Sequence, residues 1–195
     1  MHSHSQLAAI ELLHTQHYIH HDIKPTNFMI LVDHPSPNTF LIDFSLAQQF
    51  HNPKTYLHIP YSTHYLIVGT LPFSSINRQQ GHAQSHRNDL ESLAYTIIYS
   101  ACGKLPWTSL HDHEAILQKK SLITTEDLCQ GLPTPFCNSV TYVRSLGFDK
   151  KPDYPYLHSI ILLCSINETD KPSKTPPTIH ISVGAERTPG VSDQV

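Results

Sequence analysis

In residues 18–30, YIHHDIKPTNFMI, the side chains of His20, Asp22, Lys24 and Asn27 stand just ahead of an apolar run. Phosphoryl transfer needs these residue types at fixed places. A carboxylate orients the attacking hydroxyl, a cation steadies the group in transit, and two oxygen-bearing side chains hold Mg²⁺. Asp43-Phe44-Ser45 supplies a second carboxylate sixteen residues after Asn27, at the end of another apolar run. Taken singly, Asp22 is an ordinary loop carboxylate and Asp43 an ordinary turn residue. Their order and spacing carry the reading.

The elements that must hold these groups follow from periodicity. Leu7, Ile10, Leu13 and His14 in QLAAIELLHTQH recur at helical spacing, so a helix over 6–17 leads into the stretch. FMILV and TFLID flank the turn-forming DHPSPN, which predicts a β-hairpin between Asn27 and Asp43. Residues 46–88 read as polar and irregular, with Pro53, Pro60 and Pro72 blocking long helices. A helix beginning at Asp89 is the clearest in the chain. Its Leu90, Leu93, Ala94, Ile97, Ile98 and Ala101 form one apolar face, and Gly103 and Pro106 stop it. Further helices are expected near 112–120, near 138–146 and from Tyr154 to Cys164. The fold class is therefore mainly α, a helical bundle with one small hairpin at the catalytic end. The division is a domain over 1–166 followed by a disordered Pro/Thr/Ser-rich tail over 167–195.

Composition excludes several function classes. A formal charge of -3 over 195 residues leaves no basic footprint for nucleic acid. No apolar run approaches the ~18 residues of a membrane span, so no membrane role is expected. Cys102, Cys129, Cys137 and Cys164 lack paired spacing and read as reduced thiols of a cytoplasmic or nuclear protein. Sixteen histidines raise the question of zinc, but no Cys pair or HExxH accompanies them, so no structural metal is assigned.

Residues 20–27 match the protein-kinase template H-R-D-L-x-x-x-N, and Asp43-Phe44-Ser45 matches D-F-G. With LIDFSLAQQF, HIPY, VGT, SIN, RNDLESLAY, GKLPW, LCQGLP and RSLGFDKKPDYPYL, the chain resembles the C-terminal lobe of the casein kinase 1 family from about residue 6 to 163. SIN at 75–77 is the most telling, because most protein kinases carry an APE-like triplet there. The resemblance implies a serine/threonine protein kinase that uses Mg²⁺ and ATP and acts on a protein substrate. Asp22 would orient the substrate hydroxyl and Lys24 would steady the γ-phosphate. Asn27 and Asp43 would hold Mg²⁺, and Met29 would lie under the adenine. Thr70 would bond to the catalytic loop, which Asp89 would anchor.

Three departures qualify that implication. The template Arg is His21, which is mostly neutral near pH 7 and offers one donor where Arg offers five. The D-F-G glycine is Ser45, expected to restrict the loop that aims Asp43. Thirdly, a glycine-rich loop, a strand lysine and a helix glutamate do not fit into the residues ahead of Tyr18. The expectation is a C-lobe with its N-lobe absent. One lost electrostatic group costs ~10²–10³ in rate, and several together ~10⁵, though not additively. Against turnover of roughly 1–100 per second, such a fragment is expected to be inactive alone. The alternative is a non-catalytic, pseudokinase-like binding module or a decaying gene copy, with a protein partner in place of a substrate. Recognition has changed too: the basic position after Gly-Thr is Pro72, and TSLHDHEAILQKK after Trp107 is short and less basic, so a preference for acidic or primed sites is not carried over.

Overall fold

The computed structural model describes residues 2–30, 39–52, 54–55 and 57–168. Helix α1 (His2–Thr15) leads into strand β1 (Tyr18–Ile19), then β2 (Phe28–Ile30), β3 (Thr39–Leu41) and β4 (Gln48–Gln49). Helices α2 (Ile76–Gln79), α3 (His86–Cys102), α4 (His113–Leu122), α5 (Thr125–Leu128), α6 (Thr134–Ser145) and α7 (Tyr154–Glu168) complete the order. Single 3₁₀ turns at Pro25–Asn27 and Phe44–Leu46 flank the hairpin.

Helix α3 is the axis of the fold. Leu90 and Leu93 join Leu7 and Ile10 of α1, Val143 of α6 and Leu157 of α7 in one buried cluster. One turn on, Tyr95 and Ile98 enter a second cluster with Trp107, Ile116, Leu128 and Val140. Trp107 is fully buried and its Nε1 donates to the Pro72 carbonyl at 2.8 Å, so the indole ring is apolar-packed and polar-satisfied at once.

The expected helices are present, with shifted ends. Helix α1 runs from His2 to Thr15, a few residues earlier than 6–17. Helix α3 starts at His86 rather than at Asp89. Asn88 Oδ1 accepts the Ser85 backbone N–H at 2.8 Å, so the cap, Ser85, lies five residues upstream of Leu90, the first apolar position. Helix α6 likewise begins at Thr134, because Pro135 falls in its first turn, where no intrahelical N–H is required. Gly103 ends α3 in the left-handed conformation at φ 72°, donating to Tyr99 O. Helix α7 continues to Glu168, past the boundary at 166; the tail expectation beyond it lies outside the described residues.

Residues 46–88 are not wholly irregular. Strand β4 pairs antiparallel with β1, Ile19 facing Gln48, and α2 lies near the far end of the segment. Two-residue pairings and four-residue helices leave no periodicity for a sequence to show. The expected hairpin is β2–β3, with Phe28 opposite Leu41 and Met29 opposite Phe40; its turn lies outside the described residues. Two small sheets thus stand where one was expected. No described helix is long and apolar enough to cross a membrane.

Candidate functional site

Between β1 and β2 the chain turns through the loop that carries Asp22, Lys24 and Asn27. Asp89, 2% exposed at the start of α3, holds that loop from below. Its Oδ2 accepts the His20 N–H at 2.7 Å and its Oδ1 the His21 N–H at 3.0 Å. His14 of α1 donates from Nε2 to Asp89 Oδ2 at 3.0 Å, and its Nδ1 is hydrogen-bonded to the Tyr154 hydroxyl of α7. Burial works against a charge on Asp89, but the His14 bond and the loop N–H groups outweigh it and bring its pKa to about 2. Three helices therefore meet under two consecutive loop amides.

Above this base, Asp22, Lys24 and Thr70 form one hydrogen-bonded group. Lys24 Nζ lies 2.6 Å from Asp22 Oδ2 and donates to Thr70 Oγ1 at 3.1 Å. The Thr70 backbone N–H donates to Asp22 Oδ1 at 3.0 Å. Burial pushes the Asp22 carboxyl up, yet the Lys24 and Thr70 bonds prevail and hold it below its ordinary value. At neutral pH Asp22 is a carboxylate with both oxygens directed by donors. Gly69, at φ 93°, makes the close approach possible: a Cβ there would lie 3.1 Å from His21 O and 3.3 Å from Asp22 Oδ1.

Asn27 is buried, and its Nδ2 donates to Asp22 O at 2.9 Å, which leaves Oδ1 as the atom for a cation. Asp43 is exposed, in a left-handed conformation at φ 65°, and its Oδ1 accepts from Ser45 Oγ at 2.8 Å. The Ser45 hydroxyl and N–H hold the Asp43 pKa below its ordinary value. The left-handed residue is Asp43 itself. Ser45 is not among the positive-φ residues, so the restriction expected from losing a glycine at 45 does not arise in this conformation. Met29 and its cross-strand partner Phe40 are about half exposed on one face of the hairpin.

His21 behaves differently from the Arg of the template. Burial lowers its pKa to about 4, with Arg78 and His20 adding to the effect against Asp89, so the ring is neutral at pH 7. Its Nδ1 is bonded to Arg78 Nη1. A cavity of about 450 Å³ opens beside this pair, lined also by Gln48, His64, Tyr65 and Val68. Periodicity gave no sign of Arg78 or Lys120, and placed His14 on a helix face without showing its bond to Asp89. Lys120 is fully buried; its Nζ donates to Leu71 O and Ser74 O while lying 5.0 Å from the centres of the Tyr95 and Trp107 rings. The half of the KK pair most deeply placed is thus internal. Among the described residues no cluster of His, Cys, Asp and Glu is arranged for a metal.

The protein kinase domain family matches residues 3–154. Casein kinase I homolog 3 of Schizosaccharomyces pombe (strain 972) is 39% identical over 176 residues, covering 84% of this chain and 40% of that protein. The chain thus spans less than half the length of this relative. With a kinase-like, helix-rich fold, the template spacing at residues 20–27 and these two similarities in agreement, the chain belongs to the protein kinase family, of the casein kinase 1 serine/threonine type.

Proposed function

We propose that residues 1–166 form the C-terminal lobe of a casein kinase 1-type kinase, which transfers the γ-phosphoryl group of ATP to serine or threonine of a protein. Helix α7 carries this unit to Glu168, and the residues after it are assigned to the tail. The Asp22–Lys24–Thr70 group carries the reading. An ionised carboxylate beside a lysine, both tied to a segment forty-eight residues away, is what orienting a hydroxyl next to a phosphoryl group requires.

The residues present fit the cofactors that the family implies. Asn27 Oδ1 and the Asp43 carboxylate are hard oxygen donors suited to Mg²⁺, which would neutralise phosphate charge when bound. Asp43 is exposed and its Oδ2 is not bonded by Ser45. Met29 presents an apolar platform suited to an adenine ring. Lys24 stands where it would steady the transferring group, and Asp22 where it would accept the hydroxyl proton. Arg78, among the described residues the one permanently charged side chain lining the adjoining cavity, is committed to Val68 and His21, so no preference for acidic or phosphorylated acceptors is assigned. Cys102, Cys129, Cys137 and Cys164, none of them in a disulfide among the described residues, suit a cytoplasmic or nuclear setting.

None of the 195 residues supplies the glycine-rich loop, and none of those described supplies the lysine–glutamate pair of the opposite wall. The 195-residue chain by itself is therefore assigned no turnover. Its second reading, a non-catalytic partner-binding lobe, is favoured by His21, neutral where the template carries a charged Arg. Fusing a kinase N-lobe that carries a glycine-rich loop and a strand lysine ahead of Met1 separates the two. Phosphotransfer to a mixed serine/threonine peptide pool, abolished by Asp22→Asn, is expected. A folded chimera that binds Mg·ATP without transferring phosphate would establish the binding-module reading instead.

A further inference from the structure

Arg78 projects from α2, a helix fastened to the core on both sides. Ser75 Oγ accepts the Arg78 backbone N–H at 3.2 Å and also a bond from Asn88 Nδ2 of α3 at 2.8 Å. Gln79 Nε2 donates to Leu71 O at 2.8 Å. From this base the Arg78 side chain, 6% exposed, spans two separate segments. Its Nε donates to Val68 O at 2.5 Å, and its Nη1 bonds His21 Nδ1. A guanidinium has donors only, so Nδ1 of His21 must be the acceptor, and the ring carries its proton on Nε2.

We propose that Arg78 is a positioning residue for the catalytic loop, supplying from α2 the fixed cationic fork that the loop lacks at His21 and clamping residues 68–70 against Asp22. The proposal rests on reading residues 20–27 as the catalytic loop. Its two contacts fall one residue before Gly69 and one residue before Asp22, on either side of the Gly69 approach where a Cβ would already crowd His21 O. The Thr70 N–H bond to Asp22 lies directly beyond. A small slide of one segment along the other breaks that bond, and Arg78 opposes the slide by holding both.

The charges around it agree. Burial works against the guanidinium, while Asp89 and Asp22 both favour its charged form. Lysine at 78 would not serve, because one ammonium on a flexible stem cannot present two donors at a fixed angle to a carbonyl and an imidazole. A merely space-filling Arg78 would lower stability everywhere and would not single out Thr70.

Site-resolved hydrogen exchange of the 195-residue chain tests the difference. In Arg78→Thr the Thr70 amide is expected to exchange at least about tenfold faster, while amides of α3 and α7 keep their protection. Adding His21→Arg to that variant returns a fork to the loop, with the neighbouring 450 Å³ cavity giving it room, and is expected to restore Thr70 protection. Unchanged exchange at Thr70, an equal rise throughout the core, or no rescue by His21→Arg would overturn the proposal. If Arg78→Thr does not fold, Arg78→Lys is measured in the same way: faster exchange at Thr70 alone supports the clamp, and wild-type exchange there overturns it. Since none of these readouts involves phosphotransfer, failure of the clamp and failure of the kinase reading are told apart.

Discussion

The loop proposed as catalytic, residues 20–27, has two sides, and they are built differently. Beneath it, Asp89 is buried and accepts bonds from His14 and from two loop amides. Facing outward, Asp43 is exposed and bonded only within its own turn, by Ser45, while Met29, Phe40 and Phe44 stand about half exposed. The buried side is held by helices α1, α3 and α7. The outward side presents oxygen donors and apolar surface that nothing among the described residues covers. Stability and chemistry are therefore separated in space, and a change on the outward side leaves the means of holding Asp22 untouched.

The strongest way to break this comparison is to remove Asp89. Asp89→Ala strands two loop N–H groups and the His14 Nε2 donor in a buried place. Uncompensated buried polar groups of this kind cost about 3–5 kcal/mol, a large part of the ~5–15 kcal/mol that holds a domain together. Urea unfolding followed by far-UV circular dichroism should show a midpoint lowered by that amount or a chain unfolded in buffer. A loss under ~1 kcal/mol would mean that the loop is held from elsewhere.

Acid sharpens the same contrast. His86 of α3 is packed against Phe50, with His14, His51, His58 and Asp89 around it, and burial lowers its pKa to about 3. His21, at about 4, is depressed for the same reason. Both are neutral when folded and regain their ordinary pKa of 6.5 on unfolding. The unfolded chain then binds more protons, so stability is complete above pH 6.5 and falls as pH drops towards 4 and 3. Each unit of separation is worth about 1.4 kcal/mol. Asp89 contributes in a lower window, between its ordinary value near 3.8 and about 2. Urea midpoints are expected to fall steeply between pH 7 and pH 4.5, and His86→Gln should flatten that slope. A pH-independent midpoint in this range would show that the imidazoles are not held neutral.

How far the sequence reached follows the same divide. Residues 20–27 could be read because chemistry fixes Asp and Asn five apart, and α3, a seventeen-residue helix, because its apolar face repeats from Leu90 to Ala101. The start of α3 at His86 could not, since it depends on Asn88 reaching back to Ser85, a local bond with no periodic signature. Helix α2, too short to show a period, hid Arg78, and His14 read as one more position on an apolar helix face. Lys120 ends a segment that reads only as short and less basic; the fold reveals that it donates to the Leu71 and Ser74 carbonyls. A template departure at His21 was plain in the sequence, but the residue bonded to it lies fifty-seven positions away.

The smallest effect belongs to the hairpin. Met29 and Phe40 face each other across β2 and β3 and are 52% and 47% exposed. A cross-strand pair of this kind contributes roughly 0.2–1 kcal/mol, and half-exposed side chains add little burial to it. Met29→Ser with Phe40→Ser should therefore cost no more than about 1 kcal/mol in urea, well below Asp89→Ala. If the double variant unfolds the chain as Asp89→Ala does, the hairpin is part of the base of the fold. The outward side would then carry stability as well as chemistry, and the separation drawn between the two sides would not hold.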